Sequence, residues 1–126
     1  MGLCYAMFSL DNPKNSKLRP IEVEALADTE STFLCIPLHI AHQLELEPTS
    51  EKEITTADGQ RRMCPYVGPV HLRFENRECY VGAIVLGDQV LLGAVPMEDM
   101  DLVVLPRSRK VAVNPLNPNF AAGLAK

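Results

Sequence analysis

Ile21-Glu22-Val23-Glu24-Ala25-Leu26-Ala27-Asp28-Thr29-Glu30-Ser31-Thr32-Phe33-Leu34-Cys35-Ile36-Pro37 carries the sharpest local pattern in the chain. Ile21, Val23, Ala25 and Ala27 fall on one face, and Glu22 and Glu24 on the other. That period of two is the mark of a half-buried strand. Asp28 to Thr32 interrupt it with five polar residues, and Phe33 to Ile36 resume it as a short buried strand. Pro37 suits the first turn of a helix, and Leu38, Ala41, His42 and Leu44 recur at helical spacing through about Leu46. Asp28 therefore stands where one apolar segment ends and another begins. Two readings of its carboxylate stand at this level. Partial burial would raise its pKa by disfavouring the charged form, making it a candidate acid or base. Alternatively, its side-chain oxygen caps a turn.

Working outward, Cys4 to Leu10 reads as a first strand, and Asp11 to Ser16 as a turn by composition. With Leu18 to Ala27 it makes a hairpin. Downstream, Glu53 to Thr56 and Arg62 to Tyr66 flank Ala57-Asp58-Gly59-Gln60. Asp-Gly between two extended arms signals a hairpin, because Gly accepts the positive φ of such turns. Pro69 to Phe74 and Glu78 to Leu86 form another pair around Glu75-Asn76-Arg77. Val90 to Ala94 is a short apolar run, and Pro96 to Met100 fits one helical turn. Leu102 to Leu105 and Lys110 to Val113 form a last hairpin. Turns every ten residues or so predict a mostly β chain, closed or sandwich-like, with one or two short helices.

The chain has 126 residues, enough for one domain with a core that needs no disulfide or metal. Residues 1–114 are expected to be that domain and residues 115–126, rich in Asn and Pro, a flexible tail. Net charge is −4 and the longest basic cluster is Arg107-Ser108-Arg109-Lys110, so neither nucleic acid nor an anionic membrane is an expected partner. The first residues lack the pattern of a signal peptide or a myristoylation site, and no apolar run approaches the ~20 residues that span a bilayer. Cys4, Cys35, Cys64 and Cys79 lie far apart with no C-x-x-C, which predicts reduced thiols in the cytoplasm.

Three pieces of this sequence, in order, resemble the retropepsin-like aspartic proteases. Val23 to Pro37 resembles their active-site segment, an apolar pair followed by Asp-Thr-Gly or Asp-Ser-Gly and an apolar strand. Ile54 to Met63, with Ala57-Asp58-Gly59-Gln60 at its tip, resembles the flap hairpin that closes over substrate. Leu91-Leu92-Gly93 resembles the apolar-apolar-Gly run that crosses behind the catalytic loop. Leu86-Gly87-Asp88 and Met97 to Val104 resemble the surrounding stretch in bacterial single-domain members.

The resemblance implies a small closed β-barrel and a homodimeric peptidase. Asp28 would be its catalytic carboxylate, one per copy, and Thr29 would bond across to the partner loop. Ala57, Asp58, Gly59 and Gln60 would meet a peptide substrate. It implies no cofactor and no metal. The pattern departs at Glu30, where the family has Gly. Glycine lets the two loops approach and leaves its amide free beside the carboxylates. At an effective dielectric of about 20, two like charges ~5 Å apart repel by about 3 kcal/mol. Glu30 therefore opens an alternative: the same dimeric fold without catalysis, binding peptide or protein.

Other constellations carry less chemistry. His39 and His42 share a helical face but lack a third ligand, and His71 has no evident carboxylate or Cys beside it in sequence. Phe33, Leu34, Ile36, Val85, Leu86, Leu91 and Leu92 read as core, as does Cys35.

Overall fold

A computed structural model describes residues 3–125; Met1, Gly2 and Lys126, which bound the expected domain and tail, lie outside the described residues. In chain order the elements are β1 (Cys4–Asp11), β2 (Ile21–Ala27), β3 (Leu34–Ile36), α1 (Leu38–Gln43), β4 (Glu47–Thr55), β5 (Arg61–Phe74), β6 (Arg77–Val85), β7 (Val90–Leu92), α2 (Ala94–Asp99), β8 (Leu102–Leu105) and β9 (Lys110–Val113). The mostly β expectation, with two short helices, holds.

The sheet runs β1-β2-β7-β3-β6-β5-β4, and a further β5–β1 pairing closes six of these strands into a barrel. Closure depends on the length of β5. Its first part, Arg61 to Gly68, pairs with β4, and its last part, His71 to Arg73, pairs with Ser9 to Asp11 of β1. The sequence reads this strand as two, broken before Pro69. The chain instead runs through, and the pairing with β6 shifts register between Val67 and Val70. An irregularity of this kind accommodates a proline inside a strand by taking it out of the regular ladder.

The alternation that identifies β2 is realised in its pairing. Val23 faces Phe8 and Ala25 faces Ala6 across the β1–β2 ladder, with Glu22 and Glu24 exposed. Phe8, Leu10, Leu34, Ile36, Leu72 and Leu92 are fully buried and form the barrel's interior. Burying each such side chain is worth about 1.5–3 kcal/mol relative to exposure.

Helix α1 is shorter than its apolar spacing suggests. It ends at Gln43, and Glu45 takes a left-handed φ of 52°. The amides of Glu45 and Leu46 then return to the carbonyls of His42 and Ala41, both at 3.0 Å. This double return bond closes a helix end, usually with Gly at the left-handed position. No Gly marks the stop here. Asn12, on the first turn, donates from Nδ2 to the Leu44 carbonyl at 2.9 Å and holds the helix end in place.

Strands β8 and β9 pair in the register Leu102↔Val113 to Leu105↔Lys110 and form a separate ribbon. The segment after Asn114 has no helix or strand, yet it is tied back by side chains. Asn117 Nδ2 and the Ala122 amide donate to Asp101 Oδ2 at 2.8 and 3.1 Å, and Asn76 Nδ2 donates to the Pro118 carbonyl at 3.0 Å. Among the described residues, no helix is long and apolar enough to cross a membrane.

Candidate active site

The loop after β2 is held by the strand end behind it. Ala27 pairs in parallel with Leu92, and the Asp28 amide continues that ladder to the Leu92 carbonyl at 2.9 Å. Gly93 and the next two residues then receive the far side of the loop. Their amides donate to the carbonyls of Phe33, Ser31 and Thr32 at 3.1, 2.7 and 2.9 Å. Only a residue without a side chain fits at position 93. A Cβ there would lie 2.4 Å from the Phe33 carbonyl oxygen and 2.7 Å from the Thr32 carbonyl carbon. The apolar-apolar-Gly run therefore does pass directly behind the Asp28 loop.

Asp28 is half-buried, and both carboxylate oxygens are engaged. Oδ1 accepts the Glu30 amide at 3.0 Å, and Oδ2 accepts the Ser31 hydroxyl at 3.3 Å. The turn-capping reading of Asp28 is realised, since the carboxylate braces its own turn, and Asp28 also lines a cavity. Ser31 is a contributor that sequence reasoning missed. Its position three residues after an acidic turn residue was the available signal.

Glu30 stands where the resemblance expects glycine. Its amide reaches the carboxylate, and its φ lies outside the left-handed region, where the non-glycine residues are Glu45, Glu75, Asp101 and Arg109. No backbone strain follows from the substitution, and the side chain is exposed.

A groove of about 590 Å³ opens over this loop. Its lining brings Asp28 and Glu30 together with Glu53, Ile54 and Ala57 of the β4–β5 hairpin. Phe33, Leu86 and Leu91 line it as well. The apolar run predicts all three as core, and the structure corrects that: they are half-buried, whereas Leu34, Ile36 and Leu92 are buried. On β3 and β7 adjacent residues face opposite sides, so every apolar residue in a short run cannot be interior. Cys35 also lines the groove, but burial, with Cys64 nearby, pushes its thiol up to about 11. It stays protonated at neutral pH and is a poor nucleophile.

The hairpin tip is a tight turn over Thr56 to Gln60. Gly59 has φ +86°, the left-handed value for which Asp-Gly was read. The Thr56 amide donates to the Gln60 carbonyl at 2.8 Å, and the Gly59 amide to the Thr56 carbonyl at 2.9 Å. Asp58 Oδ1 accepts the Thr56 hydroxyl and the Gln60 amide, bonds that hold its carboxyl below the usual range. Ala57 lines the groove; Asp58, Gly59 and Gln60 form the exposed turn above it. Lys52 of β4 places its ammonium 4.6 Å from the centre of the Tyr66 ring and 5.5 Å from that of Phe33, fastening β4 to the groove wall.

Thr29 is exposed on the other side of the loop. With Asp28 and Glu30 it borders a second hollow of about 290 Å³, walled by Leu3, Leu26, Val104 and Pro106. His39 and His42 are exposed on α1, and no group of three or more His, Cys, Asp or Glu is placed to hold a metal among the described residues. His71, in contrast, has the carboxylate partners its sequence neighbours did not reveal. Nδ1 lies 3.0 Å from Asp11 and Nε2 lies 2.7 Å from Glu78.

Comparison with known proteins places this architecture. No protein-family model matches the sequence, and no curated protein matches it either. Among solved structures the chain is similar to EIAV protease complexed with the inhibitor HBY-793, at TM-score 0.59 and 11% identity over 82% of this chain and 93% of that one. It is similar also to the retroviral protease-like domain of Ddi1 from Leishmania major, at TM-score 0.59 and 7% identity over 91% and 90% of the two chains. The fold is retropepsin-like, as the sequence resemblance implied.

Proposed function

We propose that this chain is an aspartic endopeptidase that works as a homodimer on its retropepsin-like fold. One observation carries this reading: the half-buried Asp28 carboxylate, oriented by Glu30 and Ser31, lies in a groove whose opposite wall is the β4–β5 hairpin. Peptide hydrolysis by carboxylates needs two of them sharing one proton, since both cannot ionise cheaply a few Å apart. One takes a proton from water while the other polarises the scissile carbonyl. The apparent pKa values then belong to the pair. A chain with one Asp-Thr loop reaches that arrangement through a two-fold axis that brings together Asp28 of each copy.

The apolar hollow beside Thr29 supports this assembly. Leu3, Leu26, Val104 and Pro106 offer surface for a second copy next to the Asp28 loop, and Thr29, which borders the same hollow, would then bond across. In the dimer the hairpin tip, Ala57 to Gln60, closes over bound peptide and excludes water. Glu30 leaves the dyad intact because it keeps the amide contact with Asp28 and its exposed side chain lies along the groove lining. Four free thiols fit a reducing, cytoplasmic setting.

The test is cleavage of a peptide library between pH 4 and 7 by the wild-type chain and by Asp28→Asn, with sedimentation in parallel. Cleavage by a dimer that disappears in the variant is expected. A folded dimer that cleaves nothing refutes catalysis and leaves a peptide-binding module, the alternative that Glu30 raises. A monomer at micromolar concentration refutes the shared dyad.

A further inference from the structure

Three carboxylates line the groove, those of Asp28, Glu30 and Glu53, and no Lys, Arg or His side chain lines it among the described residues. Glu30 comes from the floor loop and Glu53 from the flap strand, so the charges stand on two different walls. Neither has a cationic partner: among the described residues the ion pairs all involve His71. The nearest cation in sequence, Lys52, is engaged on the faces of Tyr66 and Phe33. Arg61 and Arg62 stand on the opposing flap arm, across from Thr55 and Ile54, and do not line the groove. The apolar part of the lining comes from Phe33, Ile54, Leu86 and Leu91, interleaved with the hydroxyl-bearing Ser31, Thr32, Thr55 and Thr56.

A cleft with unneutralised charge of one sign and low-dielectric walls concentrates the opposite charge. Accepting the groove as the peptide site described above, we propose that it selects extended peptides with a lysine or arginine beside large apolar residues. Glu30 and Glu53 recognise the cation, and the apolar wall takes its neighbours. The residue that replaces the family's glycine thus becomes a specificity determinant. An acidic peptide would meet repulsion from both walls.

Binding is measured by fluorescence anisotropy on the full-length chain carrying Asp28→Asn, so that bound peptide is not consumed. The probes are short labelled peptides of sequence Ala-X-Leu-Phe-Ala-Ala with X as Arg, Gln or Glu. Each exposed charge pair contributes up to about 1 kcal/mol, or about fivefold in affinity, so the Arg peptide is expected to bind roughly tenfold tighter than the Glu peptide at low salt. The preference shrinks at 1 M salt, where the screening length falls to about 3 Å. Glu30→Gln and Glu53→Gln each reduce it by about three- to fivefold. Equal affinity for the three peptides, tighter binding of the Glu peptide, or no binding to a folded chain overturns the proposal. Library cleavage by wild type without basic preference would overturn it while leaving the peptidase intact. Selective binding of the Arg peptide without cleavage would sustain it and overturn catalysis.

Discussion

Replacing Gly93 by alanine tests whether the loop that carries Asp28 is held by direct backbone contact with the end of β7. Gly93 has φ −86°, which alanine adopts freely, so any cost arises from contact and not from backbone conformation. The new methyl would meet three backbone atoms of the loop at 2.4 to 2.8 Å. Backbone cannot rotate away as a side-chain tip can. The loop and the strand end must separate, straining the three hydrogen bonds from residues 93 to 95 at 2.7 to 3.1 Å. Overpacking costs about 1–3 kcal/mol and each lost hydrogen bond about 1 kcal/mol, so about 3 kcal/mol of destabilisation is expected. With an unfolding entropy of about 2.1 cal/mol/K per residue, a chain of 126 residues loses about 11 °C in Tm. That is a large share of the ~5–15 kcal/mol that stabilises a typical domain. Urea and thermal unfolding, read by circular dichroism, measure it. Gly123→Ala is the control, since its Cβ would meet nothing within 4 Å. If Gly93→Ala unfolds within about 0.5 kcal/mol of Gly123→Ala, the loop does not rest on Gly93 and the account of the site is wrong.

Three other perturbations probe features outside the groove. Asp101 is held below the usual carboxylate range by Asn114 first, then by the Ala122 amide and Asn117. A depressed folded-state pKa gives stability that is present above the unfolded value of about 3.9 and lost as pH falls through the lowered value. Asp101→Asn should therefore flatten the acid limb of a plot of unfolding midpoint against pH; an unchanged acid limb would refute the clasp. His71 bridges Asp11 of β1 and Glu78 of β6, and both contacts form only if each ring nitrogen donates or a carboxyl is protonated. His71→Gln is expected to lose about 1–3 kcal/mol in urea titration, and to speed hydrogen exchange at the β1–β5 seam before elsewhere. Arg77 is 3% exposed, donates to the Asn117 carbonyl, and leaves Nε and Nη1 buried without a partner. Because an apolar replacement removes that buried charge, Arg77→Met should fall within about 1 kcal/mol of wild type; a loss above about 3 kcal/mol would mean the guanidinium is fully satisfied.

Much of this architecture was legible in the order of residues. The alternation in Ile21 to Ala27, the Asp58-Gly59 turn and the last hairpin, Leu102 to Leu105 with Lys110 to Val113, each follow from local rules of period and turn chemistry. So did the Asp-Thr loop and the Leu91-Leu92-Gly93 run, because both depend on residue types at fixed places. What local rules could not supply was which strand joins which. The barrel closes because one strand, β5, spans two partners, and Pro69 hid its continuity. The end of α1 was hidden for a related reason: Glu45 adopts a conformation usually given to glycine, stabilised by bonds to His42 and Ala41 and by Asn12 from a distant turn.

The division at the site follows the same physics. Sequence alone determined that Asp28 would lie at a strand end with a tight-turned hairpin downstream, since both are contiguous patterns. Tertiary structure alone decided that Glu53, Ile54, Leu86 and Leu91 would line one groove with Asp28, that Glu30 would donate its amide to Asp28 with an ordinary φ, and that His71 would find two carboxylates. These are relations between strands far apart in the chain. They are set by register and barrel closure, which a side chain's neighbours in sequence do not encode.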